Sequence, residues 1–440
     1  MTSLQRRVWV PEGPESYIQQ LAATYARQTP DQNENELLAL IEENRKIHEQ
    51  DCVNLNPATN TLNPKAEAVL ASSLGARPSL GYPGDKYEMG LEAIEKIEVM
   101  AAELAAEVFG AKFVEIRVAS GAIANLYVFM AVAKAGDYIF SPPTSIGGHV
   151  THHEAGAAGK YGLITHEMAV DPVRYSIDLD VLRADVLRLR PAIISLGGSL
   201  NLFPLPLREV RAIADEVGAI VLYDAAHTCG VIAGGALQQP LEEGAHVMTL
   251  STYKSLGGPA SGLVLTNDAD IAQALDAVAF PGLTANFDVA KSAALAMTLL
   301  DWKAYGQGYA ESMVRTAKAL AQELADKGLP IFASDQGMTA THQFAVEAHS
   351  FGGGQTMAKR LRLANILACG IGLPMKPVPG DRNGLRLGTP ELVRWGIEAE
   401  HMPELAEYIA TALFATTPLE QVAGSVSAFR RRFTTLHYVR

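Results

Sequence analysis

Apolar residues recur along this chain at two spacings, and each spacing predicts a different kind of element. Between residues 91 and 108 they return every three or four positions, as on the buried face of a helix, and Gly110 follows where that helix should end. Helical spacing also predicts a long helix from about Asp288 to Lys327. Short β-rich runs such as 219–223 alternate with helical segments between about residues 114 and 267. This alternation predicts the α/β class, with a mostly parallel sheet covered by helices on both faces.

The chain length predicts more than one domain. Its 440 residues exceed what one ordinary core accommodates. We expect an N-terminal arm and helix over residues 1–55, a large domain over 56–300, and a linking helix with a small α+β domain over 301–440. Residues 52–90 are rich in Asn, Pro and Gly, and so long an irregular segment in a compact protein is usually functional.

Composition narrows the class of partner. With 48% hydrophobic residues and a formal net charge of −12, the chain is expected to be soluble and globular. Neither nucleic acid nor an anionic membrane is an expected partner, because both favour basic surfaces. Three cysteines without metal-like spacing, and the lack of a signal-peptide pattern, predict a cytoplasmic location. No apolar run reaches membrane-spanning length.

Two apolar runs end in polar clusters that are expected to share one pocket. Asp224 and His227 follow the run A-I-V-L-Y, while Ser251 and Lys254 follow the run H-V-M-T-L. The carboxyl ends of parallel strands open on the same crevice. An acid, an imidazole and a lysine there favour an aldehyde cofactor bound as a Schiff base, for which pyridoxal phosphate is the obvious candidate. The structural alternatives are a surface lysine, a turn aspartate and a satisfied core histidine.

A strand, a small-residue turn and a helix follow one another around the motif A-S-G-A-I-A-N. Ser120, Gly121 and Ala122 form the turn. Unpaired backbone N–H groups and the helix dipole both favour an anion at such a helix start. The pattern is weak in isolation, but its place before the aspartate and lysine clusters predicts the site of the cofactor phosphate.

His149 and Arg386 each have a functional and a structural interpretation. His149 opens the cluster H-V-T-H-H, which invites a metal site, yet no acidic or cysteine partner has a fitting spacing. We therefore favour a ring stacked on the cofactor and expect no metal. Arg386 lies inside an otherwise apolar strand, where a guanidinium needs a partner. A substrate α-carboxylate bound in a bidentate manner would supply one, and an internal salt bridge is the alternative.

Six motifs, taken in their order, resemble those of the serine hydroxymethyltransferase family of fold-type-I pyridoxal-phosphate enzymes. They are G-Y-P-G-D-K-Y, S-G-A-I-A-N, G-G-H-V-T-H, D-A-A-H, T-Y-K-S-L-G-G-P and L-R-L-G-T-P, and the resemblance spans about residues 50 to 415. It implies a large domain with a mostly parallel sheet between helices and a smaller C-terminal α+β domain. It also implies pyridoxal 5'-phosphate and a homodimer that shares its sites across the interface, with pairing into tetramers left open.

The resemblance further implies a role for each candidate residue. Lys254 carries the internal aldimine, Asp224 contacts the pyridine nitrogen, and Arg386 takes the substrate carboxylate. The remaining assignments are His149 stacked on the ring, His227 and Ser199 near the phenolic oxygen and the substrate, Ser120, Gly121, Ala122 and Ser251 on the cofactor, and Tyr87 and Glu88 on the substrate.

The chain departs from the family pattern in the loop that usually supplies a catalytic glutamate. Family members carry Y-A-E-G-Y-P-G, whereas this chain has Pro78 and Leu80 in place of the tyrosine and the glutamate. Loss of a positioned acid–base group typically costs about 10²- to 10⁴-fold in rate. Either Glu88 or another group substitutes, or the physiological reaction differs. The more apolar loop favours an α-alkyl substrate such as 2-methylserine.

These observations predict an enzyme that makes or breaks the Cα–Cβ bond of serine or an α-substituted serine, through an external aldimine and a quinonoid carbanion. Tetrahydrofolate as one-carbon acceptor stays open, because the carboxylate of the folate-dependent reaction is missing. One alternative is a folate-independent β-hydroxy-amino-acid aldolase, a transaldolase or an aminotransferase on the same fold. Another is a catalytically inactive subunit that only binds the cofactor.

Overall fold

The computed structural model describes residues 3–415 and 417–440, and the chain forms two compact units, Met1–Cys52 and Val53–Arg440. The first unit contains helices α1 (Glu12–Tyr25) and α2 (Pro30–Arg45). Thr29 caps α2, because its side chain accepts from the backbone N–H of Gln32 while the Gln32 side chain accepts from the backbone N–H of Thr29.

Six of the fourteen remaining α-helices in the described residues lie between strands of a large sheet, and all fourteen belong to the second unit. They are α3 (Pro64–Leu70), α4 (Glu92–Phe109), α5 (Gly121–Val132), α6 (Ala157–Tyr161), α7 (Leu179–Leu189), α8 (Leu207–Asp215), α9 (Cys229–Ala233), α10 (Pro240–Glu243), α11 (Ala269–Ala277), α12 (Val289–Asp326), α13 (Gly354–Leu363), α14 (Pro390–Arg394), α15 (Met402–Phe414) and α16 (Leu419–Arg430).

The strands also belong to the second unit. They are β1 (Val53–Asn54), β2 (Gly81–Tyr82), β3 (Asp85–Lys86), β4 (Phe113–Glu115), β5 (Tyr138–Ser141), β6 (Ile164–Glu167), β7 (Val170–Asp171), β8 (Ser176–Ile177), β9 (Ile193–Leu196), β10 (Ile220–Asp224), β11 (Val247–Ser251), β12 (Gly262–Thr266), β13 (Gln343–Glu347), β14 (Ile366–Leu367), β15 (Cys369–Ile371) and β16 (Gly384–Gly388).

The large sheet has the order β4-β12-β11-β10-β9-β5-β6. Its neighbours pair in parallel from β11 to β6, and β12 runs antiparallel to both of its neighbours. Strands β9, β11 and β12 are buried along their whole length, which explains why their sequences read as continuous apolar runs. The predicted α/β class with a mostly parallel sheet is therefore confirmed.

Two predicted helices form at the expected places. Helix α4 ends at Gly110, which takes the left-handed conformation with φ +62°. Helix α12 is capped by Asp288 and ends before Lys327, as its spacing predicted. The predicted boundary between residues 300 and 301 falls inside this continuous helix. The proposed domain limits of 1–55, 56–300 and 301–440 otherwise stay predictions.

A second, smaller sheet has the order β13-β16-β15 and is antiparallel throughout. Strand β16 lies in its centre and is fully buried, so Arg386 emerges from the middle of this sheet. Strand β1 pairs with β14 in parallel, although the two lie more than three hundred residues apart. In the described ranges, every helix is too short or too polar to cross a bilayer.

Candidate active site

Strands β10 and β11 end side by side in the large sheet. They run parallel, with Asp224 opposite Thr249, and β11 ends two residues later at Ser251. The loops that follow carry His227 and Lys254. The two polar clusters that the strand-end pattern predicted to share one pocket therefore lie at the same edge of the sheet.

Asp224 is surrounded by hydrogen-bond donors. Its Oδ2 lies 2.9 Å from both Asn125 Nδ2 and His152 Nε2, and its Oδ1 accepts from the backbone N–H of Ala226 at 3.0 Å. Burial opposes ionisation, but the contacts with His152 and Asn125 outweigh it and hold the pKa of Asp224 well below its usual range. Asp224 is therefore a fixed negative charge at the strand end.

Asn125 and His152 are site residues that the sequence reasoning missed. Thr249 Oγ1 donates to Asn125 Oδ1 at 2.6 Å, which turns the amide nitrogen of Asn125 toward Asp224. Ser195 Oγ lies 3.1 Å from His152 Nδ1 and holds the other side of that ring. Both missed residues end motifs that carry the family resemblance, S-G-A-I-A-N and G-G-H-V-T-H, and that position is the signal that could have found them.

The three histidines of the H-V-T-H-H cluster have separate partners. His149 Nδ1 accepts from the backbone N–H of Thr151 at 3.3 Å, His152 contacts Asp224, and His153 Nε2 lies 3.0 Å from Pro142 O. Burial lowers the pKa of His149, so its ring is neutral. Over residues 3–415 and 417–440, no three or more His, Cys, Asp or Glu side chains are grouped to hold a metal ion.

Lys254 lies in a tight turn after β11 and is only 6% exposed. Its Nζ is 3.3 Å from His227 Nε2, and its carbonyl accepts from the backbone N–H of Gly257 at 2.9 Å. Burial lowers the pKa of Lys254, which favours the neutral amine that Schiff-base formation requires. Burial also lowers the pKa of His227 well below its usual value, and its buried Nδ1 has no hydrogen-bond partner among the described residues.

Arg386 is a buried cation without an anionic partner. It is 6% exposed; its Nη1 donates to the carbonyl of Ser199 and lies 3.4 Å from His227 Nε2, and its Nη2 lies 3.2 Å from Cys369 Sγ. Among the described residues, its Nε has no hydrogen-bond partner and no carboxylate forms an ion pair with it. The internal salt bridge, which was the structural alternative, is therefore absent from the described chain.

The proposed phosphate turn packs against the end of β11. Ser120 caps α5, with its Oγ accepting from the backbone N–H of Ile123 at 3.3 Å. A Cβ atom on Gly121 would lie 2.1 Å from Ser251 Oγ, so a side chain here would displace the Ser251 hydroxyl. Ser120, Gly121, Ala122 and Ser251 thus come together at a helix start, and their contact with a phosphate stays a prediction.

An open cleft of about 960 Å³ brings three more predicted residues together. His149, Ser199 and Arg386 line it, together with Gly147 and Gly148. The backbone N–H of Ser199 donates to the Gly147 carbonyl at 2.7 Å and fixes the two loops against each other. A neutral imidazole and an unpaired cation thus face a space that accommodates an amino acid.

Tyr87 and Glu88 are not brought to this cluster within the chain. Tyr87 is 83% exposed, and its backbone N–H donates to the Leu80 carbonyl at 3.1 Å. Glu88 has a buried Oε2 without a partner in the described structure. No hydrogen bond among the described residues links either side chain to Lys254 or Arg386, so their substrate-binding roles stay predictions.

The carboxylate of Glu98 on α4 reaches the loop around Leu80, but it is already paired with a cation. Glu98 forms a buried ion pair with Lys86, with 2.7 Å between Oε2 and Nζ, and also accepts a hydrogen bond from the hydroxyl of Ser79. Position 80 itself offers only an aliphatic side chain. Glu98 is therefore unsuited to replace the missing acid–base glutamate.

Comparison with known proteins gives a consistent result. The family model described as "Serine hydroxymethyltransferase" matches residues 31–409. The chain belongs to the serine hydroxymethyltransferase family. An "Alpha-methylserine aldolase" of Ralstonia sp is 65% identical over 99% of this chain and 100% of that protein. A "Serine hydroxymethyltransferase" of Methanopyrus kandleri is 38% identical over 89% of this chain and 92% of that protein.

A solved structure has the same fold. The crystal structure of L-threonine transaldolase from Pseudomonas fluorescens superposes with a TM-score of 0.84, covers 96% of each chain and is 23% identical. This likeness confirms the predicted fold-type-I architecture. Membership of the serine hydroxymethyltransferase family confirms pyridoxal phosphate as the cofactor and an enzyme of the transferase or aldolase type.

The residues present fit pyridoxal phosphate in their chemistry. Asp224 supplies the anion that a protonated pyridine nitrogen requires, and Lys254 supplies a desolvated amine. The buried Nδ1 of His227 and Nε of Arg386 lack partners in the described chain, so polar groups of a cofactor or substrate would satisfy them.

Proposed function

We propose that this protein is an α-methylserine aldolase, which cleaves α-methylserine to alanine and formaldehyde without folate. The observation that carries the proposal is the 65% identity to the Ralstonia aldolase over essentially both whole chains. Two aldolases of the same name from Variovorax paradoxus, 56% and 55% identical over 99% of the chain, support it further. The more distant serine hydroxymethyltransferases are at most 38% identical among those compared.

Arg386 is the proposed site for the substrate carboxylate. A guanidinium that is buried without a carboxylate partner is costly, and a bound carboxylate removes that cost. The groups now contacting its two Nη atoms are a backbone carbonyl, the ring of His227 and the thiol of Cys369, and none of them is a carboxylate. The charge is therefore available to an amino acid in the adjoining cleft.

Lys254 and Asp224 are the proposed cofactor residues. Pyridoxal phosphate, when bound, supplies an electron sink for the pair of electrons left at Cα. Asp224 keeps that sink effective, because an ionised carboxylate in a buried site holds a proton on the pyridine nitrogen. Lys254 offers its amine in the neutral form, because burial disfavours the ammonium.

His227 is the group proposed to take the proton of the substrate hydroxyl. Its ring is neutral, and its Nε2 lone pair faces the space between Lys254 and Arg386, at 3.3 and 3.4 Å from their nitrogens. The Cα–Cβ bond breaks, the hydroxymethyl group leaves as formaldehyde, and its hydroxyl proton passes to Nε2. One proton added at Cα completes alanine, so the atoms balance without water or folate.

The loop around Leu80 supports a reaction without folate. The family's glutamate is replaced by leucine, and the nearby Glu98 is paired with Lys86. When formaldehyde is released as the product, no one-carbon unit is transferred to folate, and the acid–base group for that transfer is not needed. A serine hydroxymethyltransferase that uses folate is the second candidate, favoured by the family model that matches residues 31–409.

Product analysis with and without tetrahydrofolate tests the proposal. The holoenzyme is incubated with α-methylserine or with serine, and formaldehyde and the amino-acid product are measured. We expect equal amounts of formaldehyde and alanine from α-methylserine, unchanged by folate. Faster turnover of serine that depends on folate would contradict the proposal, and formation of a keto acid would favour the aminotransferase alternative.

We also infer a cytoplasmic homodimer. Tyr87 and Met89, 83% and 82% exposed, lie beside the hairpin Gly81–Lys86, and apolar groups so exposed at a functional loop favour a protein contact. Tyr87 and Glu88 would then reach the site of the partner subunit, as the family resemblance implies. Sedimentation of the holoenzyme tests the dimer, and a monomer would contradict it.

A further inference from the structure

Three side chains contact residues 255–257 of the turn that carries Lys254. Trp302 Nε1 donates to the Leu256 carbonyl at 2.7 Å. Asn60 Nδ2 donates to the Ser255 carbonyl at 3.4 Å. Arg394 packs on Gly257, where a Cβ atom would lie 2.7 Å from Arg394 Nη2. The backbone of the lysine turn therefore cannot shift outward without breaking these contacts.

Arg394 is fully buried and is held on several sides. Its guanidinium lies over the ring of Tyr309, 4.6 Å from the ring centre, and 3.9 Å from Asp301 Oδ2. Its Nη1 donates to the backbone carbonyl of Tyr438 at 3.1 Å, and its own carbonyl accepts from the His437 N–H at 2.8 Å. Residues 437 and 438 thus hold both the guanidinium and the backbone of Arg394.

Tyr438 is itself held in a constrained conformation. Its φ of +58° is rarely adopted by a residue with a side chain, and such a conformation persists where surrounding contacts require it. Its ring stacks on Tyr309 at 5.1 Å and 19°, and its hydroxyl donates to Glu398 at 2.9 Å. We call Arg394, Tyr309 and Tyr438 the aromatic clamp.

The aromatic clamp connects the two halves of the proposed site. Arg394 ends α14, which begins two residues after strand β16, the strand that carries Arg386. The hydroxyl of Tyr309 donates to the Pro390 carbonyl at 2.7 Å and accepts from Asn60 at 2.9 Å. The connection therefore runs from the lysine turn through Arg394 to the segment after Arg386.

We propose that Arg394, fixed by Tyr438, is a positioning residue that sets the separation of Lys254 from the carboxylate-binding Arg386. The proposal rests on the proposed function, because it takes Lys254 and Arg386 as the groups to be aligned. Displacement of a reacting group by about 1 Å lowers a rate by roughly a hundred-fold, so a clamp on the lysine backbone acts on the chemical step. Arg386 lies on β16 between β13 and β15, so we expect it to keep its place when the clamp is loosened.

Substitutions at Tyr438 test the clamp in the full-length holoenzyme. We expect Tyr438→Ala to lower kcat for α-methylserine about ten-fold while KM changes less than about two-fold, because Lys254 moves and Arg386 does not. Tyr438→Phe keeps the stacked ring and should retain kcat within about two-fold. Hydrogen exchange of peptides covering residues 251–258 should become faster in Tyr438→Ala and stay unchanged in Tyr438→Phe.

Tyr305→Ala is the matched control, since Tyr305 lies on the same helix as Tyr309, is 44% exposed and makes no hydrogen bond with the lysine turn. Unchanged kcat and exchange in Tyr438→Ala, or the same losses in Tyr305→Ala, would overturn the proposal. If Tyr438→Ala does not fold, Arg394→Lys is judged by the same criteria. Hydrogen exchange needs no substrate. A wild-type enzyme that is inactive on α-methylserine would therefore contradict the proposed function, whereas exchange of residues 251–258 would still test the clamp.

Discussion

Replacing Cys369 by aspartate would place a carboxylate against the guanidinium of Arg386, which has no carboxylate partner among the described residues. Cys369 stands directly opposite Arg386 in the antiparallel pair of β15 and β16, and its Sγ lies 3.2 Å from Arg386 Nη2. The same sulfur lies 3.4 Å from Asn56 Oδ1, to which its S–H donates. The Cys369 side chain therefore contacts the guanidinium without being a carboxylate, and leaves that place to the substrate carboxylate.

The expected effects on stability and on substrate binding have opposite signs. Two unit charges about 4 Å apart attract by about 4 kcal/mol at an effective dielectric constant of about 20. Desolvation of the new carboxylate offsets part of this, so we expect a net stabilisation of about 1–2 kcal/mol. Charge-assisted hydrogen bonds contribute about 1.5–3 kcal/mol each, and their loss to the substrate carboxylate corresponds to a KM increase of about a hundred-fold.

Steady-state kinetics with α-methylserine and thermal unfolding of the same preparations measure the two effects. Cys369→Ser is the control, because a hydroxyl also accepts from Arg386 and adds no charge, and its KM should stay within about three-fold of the wild type. A Cys369→Asp variant that keeps KM within about three-fold, or whose Tm falls, would refute the role of Arg386 as the unpaired carboxylate-binding cation.

Two further substitutions address the lysine and the histidine. Lys254→Ala should abolish the visible absorbance of the lysine–cofactor linkage without lowering Tm by more than a few degrees, and persistence of that absorbance would disprove the assignment. His227→Asn should lower kcat by about 10²- to 10⁴-fold. Burial, and then the charges of Lys254 and Arg386, lower the pKa of His227 below 6.5. Wild-type kcat/KM should therefore fall only as the pH drops below that value. A fall that begins above pH 6.5 and disappears in His227→Asn would contradict this expectation.

The fold class and the main chemistry were predictable from the order of the amino acids. Strands buried on both faces must be continuously apolar, so the runs before Asp224 and before Ser251 marked parallel strands and located the crevice at their ends. The caps of the long helix were readable because Asp288 and Lys327 bound an uninterrupted helical spacing. The identity of Leu80 alone also points away from the usual folate chemistry, because an aliphatic side chain can neither give nor take a proton.

Contacts between residues far apart in the chain became visible only in the folded protein. Asn125 and His152 contact Asp224 although they are 99 and 72 residues away in sequence, and no local pattern predicts that contact. Whether the charge of Arg386 is paired depends on which groups surround it, and among the described residues no carboxylate does, which is a property of packing in three dimensions. The contact of Arg394 with the lysine turn likewise joins segments more than a hundred residues apart. Local spacing fixes which face of an element is buried, whereas the partners on that face are set by how the elements pack.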